Sequence, residues 1–223
     1  MGCFDGFFYA LNAQTGDLVW KFKTIGNEYF PNGEIQKGAA LYNNSVIFGC
    51  RDYNIYSLNI NTGRGMWNTK EKGSWVVAAP LILNDVVYVG TSDSHRFCAF
   101  DAKNGEEISS YSLNMRVYGE AVPYKNDIYF GCFNGRLYRI NYLNGKLEEV
   151  FRTPGSKQNY FEVYNEHDEF KEGFELYGKE MEASENKILD LGAILSTPVS
   201  DGEIIYFADS NGVIYACKTG LTL

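Results

Sequence analysis

The chain has 223 residues, 45% apolar and 22% charged, with 17 Tyr, 15 Phe and 23 Gly against 5 Pro, and a formal charge of −8. That length buries one sizeable core, as one domain or two. The acidic balance repels phosphate backbones and excludes nucleic acid as a partner, and no apolar run approaches the roughly 18 residues that a membrane-spanning helix needs.

In chain order, residues 1–6 (MGCFDG) carry neither a basic stretch nor a long apolar one, so they do not read as a secretory leader. They read as a strand and turn cut short, so the chain is expected to start inside a repeat. An alternating strand, an Asn turn and a Gly follow at 7–20 (FFYALNAQTGDLVW), and the same pattern returns at 54–67, 96–109 and 136–149, with a shorter copy at 213–223. The turn pairs are Asn12/Gly16, Asn59/Gly63, Asp101/Gly105 and Asn141/Gly145, with Gly220 in the shorter copy. Another strand and turn precede each copy, at 45–53, 85–94, 127–135 and 203–212, with turn residues Asp5, Asp52, Asp93, Asn134 and Asn211 spaced 47, 41, 41 and 77 apart. A spacing near 41 residues fits a four-stranded propeller blade, and the apolar alternation is that of strands rather than helices. Inner strands are predicted near 36–42, 76–83, 117–124 and 192–199. On the predicted strand at 117–124 and just before it, alternation points Arg116, Tyr118 and Glu120 the same way, lining a central tunnel or forming a structural ion pair.

The predicted fold is therefore all-β: a propeller of four-stranded antiparallel blades, about four to five of them, in one domain. The repeat units fall at about 1–25, 35–70, 75–113, 116–152 and 188–223. The strand count leaves one strand over if the ring closes on itself, so an incomplete ring, completed by association of copies, is expected. Residues 154–187 interrupt the last spacing with nine acids and four lysines. Tyr160, Phe161, Tyr164, Phe170 and Phe174 lie among these charges as a candidate partner loop, the alternative being a hairpin or helix that covers a blade edge. Glu162, Glu166, Asp168 and Glu169 are a candidate calcium set without the Asp/Asn/Gly loop pattern such a site uses.

Other chemistry is thin. Cys3, Cys50, Cys98, Cys132 and Cys217 cannot all pair and form no CxxC, so they read as small buried hydrophobes. His95 and His167 have no nucleophile at an elbow, and no phosphate or dinucleotide loop is present. No catalytic or metal residue is assigned.

The phrase Ala10-Leu-Asn-Ala-Gln-Thr-Gly-Asp-Leu-Val-Trp20 resembles the docking motif of PQQ-type (quinoprotein-like, BamB-like) propeller repeats. The copy at 57–67 keeps Trp67, the copy at 99–109 has Ser109 in its place, and the copy at 139–149 keeps only Asn141 and Gly145. The resemblance implies blade-docking roles for Trp20, Trp67, Gly16, Gly63, Gly105 and Gly145. It leaves Trp75, which lies outside the motif, to face the tunnel mouth or cap the core. It implies either a non-catalytic scaffold that engages a protein partner through loops, or a dehydrogenase holding PQQ and calcium in the tunnel; a piece of a larger multidomain sensor is a third reading. The adjacent cysteine pair of several such dehydrogenases is missing here, so no cofactor is expected. An extracytoplasmic place follows from the resemblance alone.

Overall fold

Each repeat copy folds as hairpins because two kinds of turn close it. The computed structural model describes residues 1–218; Gly220 and the end of the last predicted copy lie outside them. The chain divides into two compact units, Met1–Ser112 and Leu113–Leu223.

The first unit holds three antiparallel sheets. They are β1 (Phe7–Leu11) with β2 (Leu18–Lys23); then β3 (Ala40–Tyr42), β4 (Ser45–Gly49), β5 (Asn54–Asn59) and β6 (Gly65–Lys70); then β7 (Leu81–Leu83), β8 (Val86–Gly90), β9 (Arg96–Asp101) and β10 (Glu107–Ser112). Strand alternation explains why β4 is buried throughout. Val46 and Phe48 enter a core with Phe8, Tyr56 and Leu58, while Ile47 enters a second core with Ile55, Val87, Val89 and Phe100. The sheets thus stack face to face, which buries the apolar surface each would otherwise expose.

The second unit holds β11 (Val122–Tyr124), β12 (Asp127–Gly131), β13 (Arg136–Asn141) and β14 (Lys146–Arg152) in one sheet, and β15 (Val199–Ser200), β16 (Ile204–Ala208) and β17 (Ile214–Lys218) in another. Tyr129, Leu137, Ile194, Ile205 and Phe207 form the core between them. Two helices, α1 (Pro154–Val163) and α2 (Met181–Leu189), lie between β14 and β15 in sequence.

The inner strands are shorter than predicted. They reach only 40–42, 81–83, 122–124 and 199–200, and the residues before each lie outside the strands. Arg116, Tyr118 and Glu120 therefore do not sit on a strand, and the alternation that would align their side chains does not operate.

Candidate functional site

The repeat motif is a set of backbone clamps. Asn12 Oδ1 accepts from Gln14 and Thr15 N–H at 2.9 and 3.1 Å, and Asn59 and Asp101 do the same for the second and third residues after them. Asn141 repeats it with Leu143 and Asn144. A short side-chain acceptor at this position tightens the turn, which is why the slot is Asn or Asp in these four copies.

The docking tryptophans reach the following copy. Trp20 Nε1–H donates to Ile60 O at 2.9 Å, and a Cβ on Gly63 would lie 2.6 Å from the Trp20 ring. Trp67 repeats this one copy later, donating to Ala102 O at 3.2 Å with its ring 2.5 Å from a Cβ on Gly105. Gly63 and Gly105 have φ of +69° and +76° and lie under an indole, so both backbone and space require glycine. Gly16 and Gly145 share the positive φ, and a Cβ on Gly16 would meet open space among the described residues.

The second turn pairs an acid or amide with a tyrosine. Tyr9 OH donates to Asp5 at 2.6 Å, Tyr56 OH to Asp52 at 2.5 Å and Tyr215 OH to Asp209 at 2.6 Å, while Asn134 Nδ2 donates to Tyr138 OH at 2.9 Å. The bond to Asp5 first, then burial, raises the Tyr9 phenol to about 12. In the last copy the residue in this role is Asp209 rather than Asn211, because that turn carries two more residues before its tyrosine. Burial raises the thiols of Cys98 and Cys132 to about 12, and that of Cys50 further, so these are inert packing groups.

The insertion is a clamped helical cap in the second unit. Thr153 caps α1 by accepting from Ser156 N–H at 3.1 Å and itself donates to Leu191 O at 2.6 Å. Asp168, at φ +62°, receives both guanidinium nitrogens of Arg136 at 3.2 and 3.1 Å and Tyr160 OH at 2.7 Å. Arg136 also stacks on Tyr160, 4.5 Å from its centroid, and its Nε lies 3.3 Å from Glu149. Arg116 binds Glu185 through Nη1 at 3.1 and 3.2 Å and donates to Tyr177 OH at 2.6 Å.

These contacts re-sort the predicted partner loop. Tyr160 and Tyr164, expected to face a partner, are 4% and 1% exposed; the two rings stack on each other, and Tyr160 also lies under the arginines. Phe170 and Phe174 are half-buried in the same ring stack, and Phe161 remains outside at 66% exposed. Tyr177 and Met181 of the insertion are also exposed, at 62% and 54%. Of the candidate tunnel residues, Arg116 is buried, Tyr118 lies edge-on to Phe133, and burial raises the Glu120 carboxyl. Trp75 is half-buried under the Arg51 guanidinium. Sequence does not single out Arg136 and Arg152, since a strand arginine carries no local sign of the Tyr160 ring it covers or, for Arg136, of the distant Asp168.

The candidate calcium acids do not converge. Asp168 is held by Arg136, Glu162 faces Lys171 at 3.9 Å, and among the described residues no three His, Cys, Asp or Glu side chains are grouped to hold a metal ion. All five cysteines are free.

The family model of the outer membrane protein assembly factor BamB matches residues 5–161. This chain belongs to the BamB family. BamB from Moraxella catarrhalis is similar in fold, with TM-score 0.67 at 15% identity, over 97% of this chain and 53% of that one. The computationally designed Ika8 protein matches with TM-score 0.65 at 16% identity, over 97% and 54%. Quinohemoprotein alcohol dehydrogenase from Comamonas testosteroni matches with TM-score 0.64 at 13% identity, over 95% and 38%. The chain thus spans about half the length of the BamB structure it resembles, and its architecture is that of part of a β-propeller. No curated protein sequence matches it. Among the described residues no helix is long and apolar enough to cross a membrane.

Proposed function

We propose that this BamB-family chain is a non-catalytic binding propeller that engages a protein partner through its 154–187 insertion, outside the cytoplasm. The observation that carries this reading is the exposure of apolar side chains in the insertion: Phe161, Tyr177 and Met181 are each more than half exposed on a segment pinned by Arg116 and Arg136. Exposed aromatic and Met side chains on a rigid support lose little entropy on docking, which suits a binding surface. The surrounding acids favour a partner with a basic rim. Family membership supports a part in outer-membrane protein assembly, since that is the role the family's description gives BamB.

The test is affinity enrichment from cell-envelope extract with the parent chain and with the double variant Phe161→Ser, Met181→Ser. Neither side chain supplies a hydrogen bond to the clamp, so the fold should persist, which circular dichroism checks. The reading predicts that a defined partner is recovered with the parent and lost with the variant. Recovery of the same proteins with both would refute it.

A further inference from the structure

In the first unit a cationic side chain lies over one ring and beside another, with no acceptor for its side chain among the described residues. Arg51 lies in the turn between β4 and β5. Its guanidinium carbon is 3.8 Å from the Trp75 ring centroid and 5.0 Å from that of Phe30. Phe30 stands edge-on to Trp75 at 4.9 Å and to Tyr53 at 6.2 Å. Tyr53 holds this turn at φ +73°, in the slot that Gly6, Gly135 and Gly212 fill in other copies.

Trp75 covers one face of the guanidinium, and Phe30, perpendicular to Trp75, lies beside it. Among the described residues the guanidinium donates to no acceptor, and Nε is buried. A stacked guanidinium with a free fork matches a planar two-oxygen acceptor. Two more polar atoms on the neighbouring loop are unmet in the same way: Asn27 Nδ2, a donor, and Glu34 Oε2, an acceptor, are both buried without partners. The Asn27 side chain bonds the Phe30 N–H at 2.8 Å, and Glu34 O accepts the Arg51 N–H at 3.0 Å, so both residues are tied to the shelf.

The charge around the shelf narrows the ligand. Burial first, then Tyr29, Asp93 and Glu28, raise the Tyr53 phenol, so acids lie close by and a simple anion gains little from the local field. A docking carboxylate must bring apolar surface for the rings, including Tyr29, 70% exposed.

We propose that the Arg51–Trp75–Phe30 shelf is a peptide-binding site that captures the carboxylate of an acidic side chain flanked by apolar residues in a partner's extended segment. It belongs to the first unit and stands or falls separately from the reading of the insertion.

The experiment is a magnetic-resonance titration of the full chain, following the Arg51 Nε–H and Trp75 Nε1–H signals. The probes are acetyl-Phe-Glu-Phe-amide, acetyl-Phe-Gln-Phe-amide and sodium acetate. The Glu peptide should saturate both signals with a Kd of about 1 mM or tighter. The Gln peptide should bind roughly tenfold more weakly or worse, as expected when a charged bidentate pair is lost, and acetate should not saturate. Arg51→Gln should abolish the response and Arg51→Lys should weaken it, because lysine keeps the charge without the fork. No shift with the Glu peptide, equal binding of both peptides, or acetate binding as tightly as the Glu peptide would each overturn the assignment. The peptide pair decides the matter on the parent chain even where a variant fails to fold.

Discussion

Glycine at the docking turn is held by two separate constraints, and substitutions can separate them. Gly16 and Gly105 share a left-handed backbone, but only Gly105 lies under an indole, with the Trp67 ring 2.5 Å from where an alanine methyl would sit. Alanine at 16 should cost about 1 kcal/mol, the strain of a left-handed residue alone. Alanine at 105 should cost about 2 kcal/mol more, since the ring must move. Trp67→Ala should cost about 3 kcal/mol by emptying the cavity over the turn. Urea unfolding of the three variants checks the order; equal losses for the two glycines would refute it. The Asn, Gly and Trp of this motif were legible in the sequence because they act within a few residues or at a fixed repeat distance. Arg51 was not legible, since its meaning depends on Phe30 and Trp75, which are remote in sequence and belong to no repeat.

At the scale of an element, the insertion depends on ionised Asp168. Burial raises its carboxyl, but the bonds from Arg136 and Tyr160 and the nearby arginine charges outweigh this and leave it below its ordinary 3.8. A depressed carboxyl stabilises the fold above its unfolded value, and that contribution is lost as pH falls through the folded value. The cap should therefore loosen only below about pH 4. Asp168→Asn should loosen it at neutral pH, read as several-fold faster tryptic cleavage at Lys171 and Lys179, while the parent becomes equally labile only in acid. Cleavage unchanged in the variant would show that the clamp lies elsewhere. The sequence marked this segment by its charge and its break in spacing. It did not show α1 and α2, whose helical patterns are weak, nor which rings turn inward, because Tyr160 is drawn in by arginines from other strands.

For the whole molecule, the stacked sheets leave apolar strand surface uncovered in each unit. Leu18 and Val19 on β2 are 54% and 60% exposed, and Ile214 on β17, an edge strand, is 77% exposed. Such edges favour pairing between copies. The chain is expected to self-associate in concentrated solution, and Val19→Lys with Ile214→Lys should shift sedimentation towards the monomer. A monomer at every concentration would sink this expectation. The propeller architecture was legible because repetition made it so: the same strand and turn, met five times, outweighs ambiguity in any single copy. The shortness of the inner strands was not, since each leaves its neighbour two residues before that neighbour ends, and alternation carries no sign of where pairing stops.

The double-sided burial of β4 has a consequence for errors in folding. Val46 and Phe48 serve one core and Ile47 the other. A slip of one residue would deliver each side chain to the wrong core at once. Phenylalanine would arrive where isoleucine belongs, and the mistake would be registered on both sides of the sheet. The strand works as a parity check, read independently by two neighbours, so a misregistered copy is rejected twice over before another can stack upon it.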